Sequence, residues 1–284
     1  MRRMLLVAVP LSLAVGAALA QETLVVRQVE GRPPLDPQHP AWDGAAAVTL
    51  TLEPQTVVPP TVEAASVEEV EVRALASGEE IAFRLSWRDP TEDRFMLAGQ
   101  FSDAVAVMIP YRPSDEVPIT MGGPGDRVLI LHWAAFREEN LDNGYADVSK
   151  IHPNAAYDWY PHAKAPYRYP EDWRNQYALA YIGGEKLLRK NTIRSSVREV
   201  VAEGFGSSTW KDVQRAEGEA VRTEDGWQVV IRRRFVEENS SNPDWGPGRS
   251  TFVSVAVWDG SAGERAGRKS LSYMWTPLEV EAAR

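Results

Sequence analysis

Hydrophobic side chains return at every second residue along much of this 284-residue sequence. In residues 80–87, Ile81, Phe83, Leu85 and Trp87 share one face, while Arg84 and Ser86 take the other. A two-residue period is the signature of a half-buried β-strand, because successive side chains of an extended backbone point to opposite sides. The same period runs through 67–75, where Val70 and Val72 oppose Glu69, Glu71 and Arg73, and through 42–55, with Val48, Leu50 and Leu52 aligned. Residues 21–40 open with an alternating stretch and continue as a Pro-rich arm. The Ser77-Gly78-Glu79 turn joins two of these segments into a hairpin. Segments 103–110 and 127–133 are almost uniformly apolar, which predicts strands covered on both faces. Later strands are expected over 226–235, 250–258 and 269–275. Many short strands with turn signals between them predict an all-β chain folded as an antiparallel β-sandwich. One or two short helices are expected, the best candidate being 195–203, where Ser196 caps, Glu199 follows three residues later and Gly204 stops the helix. Residues 140–190 depart from this pattern: they are rich in Tyr, Trp, Pro, Asn and His and poorly periodic, and read as an ordered aromatic excursion.

Composition narrows the chemistry. The chain contains no cysteine, so a covalently attached c-type haem, an iron–sulfur cluster, a disulfide and a thiolate zinc site are all excluded. Its formal net charge of -9 argues against nucleic acid as a partner. Arg2 and Arg3, an apolar run over 4–17 and Ala18-Leu19-Ala20 read as an export signal cleaved after Ala20. The expected organisation is therefore a signal peptide over 1–20 and a single domain over 21–284, with no membrane span and a periplasmic location.

Two residues stand out as metal ligands. Period-two alternation groups Lys269 with Leu271, Tyr273 and Trp275, opposite Ser270 and Ser272. An ammonium among large apolar groups tends to lose its proton, and the free amine is then a ligand; the alternative is a strand-end lysine that reaches to water. Met121 lies in Pro118-Ile119-Thr120-Met121-Gly122-Gly123, between two buried strands. Its thioether is a soft, neutral donor, and the glycines allow a flat ligand to approach; the alternative is a loop methionine packed on the end of the sandwich. Met108 and Met274 look like residues packed on the sheet. Of the four histidines, His39, His132, His152 and His162, no two have a metal-finger or i, i+4 spacing. Neither Gly-Gly pair ends in a phosphate-loop Lys-Ser/Thr, and a Gly-x-Ser-x-Gly elbow is absent. The many Trp and Tyr residues leave open a sandwich that binds carbohydrate on an aromatic platform.

Several strings, taken in order, resemble the gamma subunit family of ethylbenzene dehydrogenase, which includes haem b subunits of dimethylsulfide dehydrogenase, selenate reductase, chlorate reductase and nitrite oxidoreductases. They are Asp103-Ala104-Val105-Ala106-Val107-Met108-Ile109-Pro110, Pro118-Ile119-Thr120-Met121-Gly122, Val128-Leu129-Ile130-Leu131-His132-Trp133, Asp158-Trp159-Tyr160-Pro161, Ser196-Val197-Arg198-Glu199 with Ala202-Glu203-Gly204-Phe205-Gly206, Val255-Ala256-Val257-Trp258-Asp259-Gly260, and Glu264-Arg265 with Lys269-Ser270-Leu271-Ser272. The resemblance implies a β-sandwich similar to carbohydrate-binding and cytochrome domains, holding one non-covalent haem b between a methionine matched by Met121 and a lysine matched by Lys269. It further implies a non-catalytic electron-transfer subunit. Its partners would be a molybdopterin catalytic subunit, an iron–sulfur subunit and a soluble electron carrier. Residues 53–68 and 167–190 match none of these strings.

Overall fold

The computed structural model describes residues 22–97, 99–143 and 194–283; the expected export signal, His152, His162 and most of the aromatic excursion lie outside them. The elements run β1 (Leu24–Gln28), a 3-10 helix (Pro40–Gly44), β2 (Ala47–Thr51), β3 (Glu53–Pro54), β4 (Glu69–Ala76), β5 (Glu80–Arg88), β6 (Ala104–Pro110), β7 (Val128–Ala134) and α1 (Ala135–Asp142). After the excursion come β8 (Val197–Ala202), β9 (Thr209–Trp210), β10 (Glu217–Arg222), β11 (Gly226–Arg234), β12 (Ser250–Trp258), β13 (Ser270–Leu271) and β14 (Thr276–Val280).

Two layers form from these strands. The first has the order β10-β11-β5-β4, with β2 beside β4; the second has the order β12-β6-β7-β8-β9, with β13 and then β3 on the far side of β12. β1 pairs parallel with both β4 and β14, and β14 pairs antiparallel with β12, so one hydrogen-bonded path joins the layers. The all-β sandwich is as expected, while the two parallel pairings of β1 depart from a purely antiparallel one. Period two puts Ile81, Phe83, Leu85 and Trp87 of β5 into one core with Val105, Val107 and Ile109 of β6 and Leu129, Leu131 and Trp133 of β7. Trp133 of the second layer meets Trp227 and Trp87 of the first edge-on, at centroid distances of 5.4 and 6.5 Å. Edge-to-face contacts of this kind add about 0.5–1.5 kcal/mol each to the burial of the rings.

The helix expected over 195–203 is a strand. The Ser196 hydroxyl donates to Gly218 O at 2.9 Å instead of capping, and Glu199 turns inward to Arg233 at 2.8 Å. Pairing with β7 across Trp133–Val197 to Val128–Ala202 outweighs the local capping pattern, and Val197, Val200 and Val201 favour the extended form. The real helix among the described residues is α1, directly after β7. The expected last strand over 269–275 is only β13, after which the chain breaks pairing and resumes as β14.

Candidate functional site

Alternate residues of β6, β7 and β12 face away from the core, yet most are covered. Across the register, Trp258 lies opposite Ala104 and Ala104 opposite Ala134; Ala256 lies opposite Ala106 and Ala106 opposite His132; Ser254 lies opposite Met108 and Met108 opposite Ile130. Ala104, Ala106, Ala134, Met108 and Trp258 are all buried on this outer side. Small side chains on adjacent strands make a flat, apolar floor. This is the physical meaning of the unbroken apolar strings over 103–110 and 127–133.

One end of this face is closed by the β6–β7 connection. Val117 is buried there with Met108, Val128, Ala202 and Trp275, and Met121 packs against that cluster together with Ile119, Ile130 and Phe252. The Trp275 indole donates to Val117 O at 2.7 Å and the Gly204 N–H to Met121 O at 2.8 Å, which tie the loop to β8 and to the C-terminal segment. Met121 has a φ of 69°, left-handed for a residue that is not glycine. Such backbone costs on the order of 1 kcal/mol and is retained where surroundings or function impose it. Gly122 follows with φ +78°, and a Cβ there would fall 2.2 Å from Asp126 O.

The other end carries Lys269. Its Nζ stands 5.1 Å from the centroid of the Trp258 ring, and its carbonyl accepts from Gln55 N at 3.0 Å. The buried Gln55 also donates to Gly267 O at 2.9 Å and to Val58 O at 2.7 Å, so one amide clamps the segment before β13. Among the described residues no carboxylate pairs with Lys269, and burial pulls its pKa down to about 8. His132 packs edge-on against Trp258 at 4.9 Å. Burial, then the charges of Arg137 and Lys269, push its pKa well below the usual value, so it stays neutral. Arg137 donates to His132 Nδ1 at 2.7 Å, to the His132 carbonyl, and to Ser196 O at 2.8 Å. Trp258, Arg137, Gln55 and the alanine floor were not among the residues the sequence pointed to; only the alternation of alanine with valine in β6 hinted at the floor.

Met121 and Lys269 are thus brought to one face of one layer, but into neighbouring clusters; Ile130 belongs to the surroundings of both. The face offers a neutral sulfur donor at one end and an amine of lowered basicity at the other, over an apolar floor. Such a donor set suits a flat, apolar, metal-centred ligand. Among the rival residues, Met108 is buried beside Met121, whereas Met274, expected to pack on the sheet, is 63% exposed. His39 accepts from Ala41 N at 3.1 Å and caps the 3-10 helix. No helix among the described residues is long and apolar enough to cross a membrane.

Comparison with known proteins gives the following. The sequence model of the family described as ethylbenzene dehydrogenase matches residues 39–270. A protein of Haloferax mediterranei named as a respiratory nitrate reductase heme subunit is 24% identical over 240 residues, covering 84% of this chain and 66% of its own length. The chlorate reductase subunit gamma of Ideonella dechloratans is 26% identical over 266 residues, covering 91% of this chain and 85% of its own. Among solved structures, a family 9 carbohydrate binding module of Caldicellulosiruptor kristjanssonii, in complex with glucose, aligns at 8% identity over 93% of this chain and 97% of that one, with a TM-score of 0.42. The same module with cellotriose gives a TM-score of 0.41, at 8% identity over 93% and 95% of the two chains.

Proposed function

The chain belongs to the ethylbenzene dehydrogenase family, and from that premise we propose that it is the haem-carrying gamma subunit of a periplasmic molybdenum oxidoreductase, relaying electrons between an iron–sulfur subunit and a soluble carrier. Met121 and Lys269 are the residues that would hold a single, non-covalent b-type haem. The observation that carries the reading is the outer face of the second layer, where a thioether and an amine of lowered pKa flank an alanine floor.

When bound, haem supplies a one-electron couple at iron. The chain's own groups decide how that couple is held. Ala104, Ala106, Ala134 and Ala256 leave a flat macrocycle room against the backbone. Met121 contributes a donor without charge, which favours the reduced metal and raises the reduction potential. Lys269, with a pKa near 8, gives up its proton at far smaller cost than a surface lysine, and the freed amine is then a nitrogen donor. With Met121 and Lys269 holding the group, the chain would relay electrons, and the substrate chemistry would belong to the molybdopterin subunit. Arg137, buried and without a carboxylate partner among the described residues, donates to His132 of this face and to Ser196 O. The stretch before Gln21 fits export through the signal peptide, cleaved after Ala20.

The test is spectroscopic. Purified protein is expected to show a Soret band that shifts on reduction with dithionite and a low-spin spectrum. Met121→Ala and Lys269→Ala should each abolish or alter the low-spin bands. Protein that stays colourless after haem reconstitution, or an unchanged spectrum in both variants, would rule the reading out.

A further inference from the structure

A second cluster lies where the ends of both layers meet, next in sequence to Ala104 and Trp258 of that face. Asp89 directly follows β5 of the first layer, Asp103 directly precedes β6 of the second, and Asp259 directly follows β12. All three are buried, at 1%, 0% and 7% exposure, and one oxygen from each lies within 4.8 Å of the others. Oxygens that share one calcium ion, each at about 2.3–2.6 Å, lie within about 5 Å of one another.

The hydrogen bonds leave the cluster under-satisfied. Asp103 accepts from Asp93 N at 2.8 Å and from the Trp227 indole at 3.1 Å through Oδ2, and from Gly260 N at 2.9 Å through Oδ1, which leaves Oδ1 a second lone pair. Asp259 Oδ1 accepts from the Ser261 hydroxyl at 2.7 Å and from Ala262 N at 3.1 Å. Asp89 Oδ1 accepts from Thr91 N and its hydroxyl, but Asp89 Oδ2 is buried with no hydrogen-bond partner among the described residues. An orphaned oxygen on a carboxylate that is 1% exposed, beside two more carboxylates, calls for a cation. Arg222 lies nearby, but it donates through Nη2 to Asp89 O at 2.6 Å and leans over the Trp227 ring, while its Nη1 is buried without a hydrogen-bond partner among the described residues, so it leaves Asp89 Oδ2 unsatisfied. A further buried and unpartnered oxygen, Oδ2 of Asp93, belongs to a side chain beside this group: a Cβ on Gly260 would fall 2.6 Å from Asp93 Cβ.

We propose that Asp89, Asp103 and Asp259 bind a divalent cation, of which calcium matches best, and that the ion staples the 89–103 connection and the end of β12 to the junction of the two layers. The all-oxygen donor set is that of a hard cation, and a site of several buried protein carboxylates suits calcium better than magnesium, which keeps most of its waters. Water and backbone carbonyls complete the six to eight oxygens that calcium takes.

The experiment uses the full-length chain stripped with EGTA and dialysed. Calorimetric titration with CaCl2 is expected to show one site, and MgCl2 a site at least tenfold weaker. At 100-fold excess over Kd, calcium should raise Tm by about 5 °C or more. Asp89→Asn should lose at least tenfold in calcium affinity while keeping a cooperative urea transition. No calcium uptake and an unmoved Tm in the unmodified chain would overturn the proposal, and this reading stands even where the variant fails to fold. A full calcium response in Asp89→Asn, or equal affinity for magnesium, would also overturn it.

Discussion

Glu138 is a carboxylate held inside the fold by two donors: Ala220 N at 2.9 Å and the Trp133 indole. Burial is the larger effect and pushes its pKa from 4.5 up to about 7. Between those values the unfolded chain releases the proton and the folded chain keeps it. The folded form therefore binds more protons, and stability falls as pH rises through this window. A shift of this size corresponds to about 3 kcal/mol across the window. Glu138→Gln should flatten the dependence of urea midpoint on pH between pH 4.5 and 7, whatever it does to the midpoint itself, because Gln cannot titrate. Comparing slopes with and without Glu138 cancels the other carboxyls, and identical slopes would show that the side chain ionises freely in the fold.

Among the elements, the β6–β7 connection is the one whose shape matters most to the candidate site. Met121 and Gly122 are both left-handed, the Gly122 N–H donates to Pro118 O at 2.8 Å, and the Gly204 N–H reaches back to Met121 O. No side chain fits at position 122, where a Cβ would collide with Asp126 O. Gly122→Ala should cost about 1–2 kcal/mol from its backbone conformation alone, with the collision adding to it. The loop should also present Met121 differently, so that the low-spin spectrum weakens along with the urea midpoint. An unaltered midpoint would mean that the loop yields at no cost. Element by element, the strands were legible because a two-residue period needs only neighbouring residues. The 195–203 segment was not: its Ser-x-x-Glu pattern is a capping signal only if no strand edge competes, and β7 supplies that edge.

At the scale of the molecule, the two layers are joined by charge as well as by tryptophan. Glu199 of β8 and Arg233 of β11 form an ion pair at 2.8 Å with both side chains fully buried, and Lys211 Nζ adds a second cation at 3.7 Å. Burial opposes the Glu199 charge, yet Arg233 and the N–H groups of Arg215 and Ala216 prevail and hold its pKa below the ordinary value. Removing one partner strands the other in the interior. Glu199→Ala should therefore cost about 3–5 kcal/mol in denaturant unfolding, and the double replacement Glu199→Leu with Arg233→Met should recover much of that loss. A loss below about 1 kcal/mol, the worth of a surface pair, would mean that water reaches this pair.

The local sequence determined most of the longer strands, though not β8, β10 or β14, that β6 and β7 are covered on both faces, and that a thioether at 121 and an amine at 269 stand out as donors, since periodicity and side-chain chemistry travel with the residues themselves. Tertiary structure alone decided that β1 bridges two layers by parallel pairing, that Glu199 points inward to Arg233, and that Asp89, Asp103 and Asp259 meet. Each of these depends on which distant segment supplies the partner, and hydrogen bonds and charges between layers have no signature in the spacing of neighbouring residues.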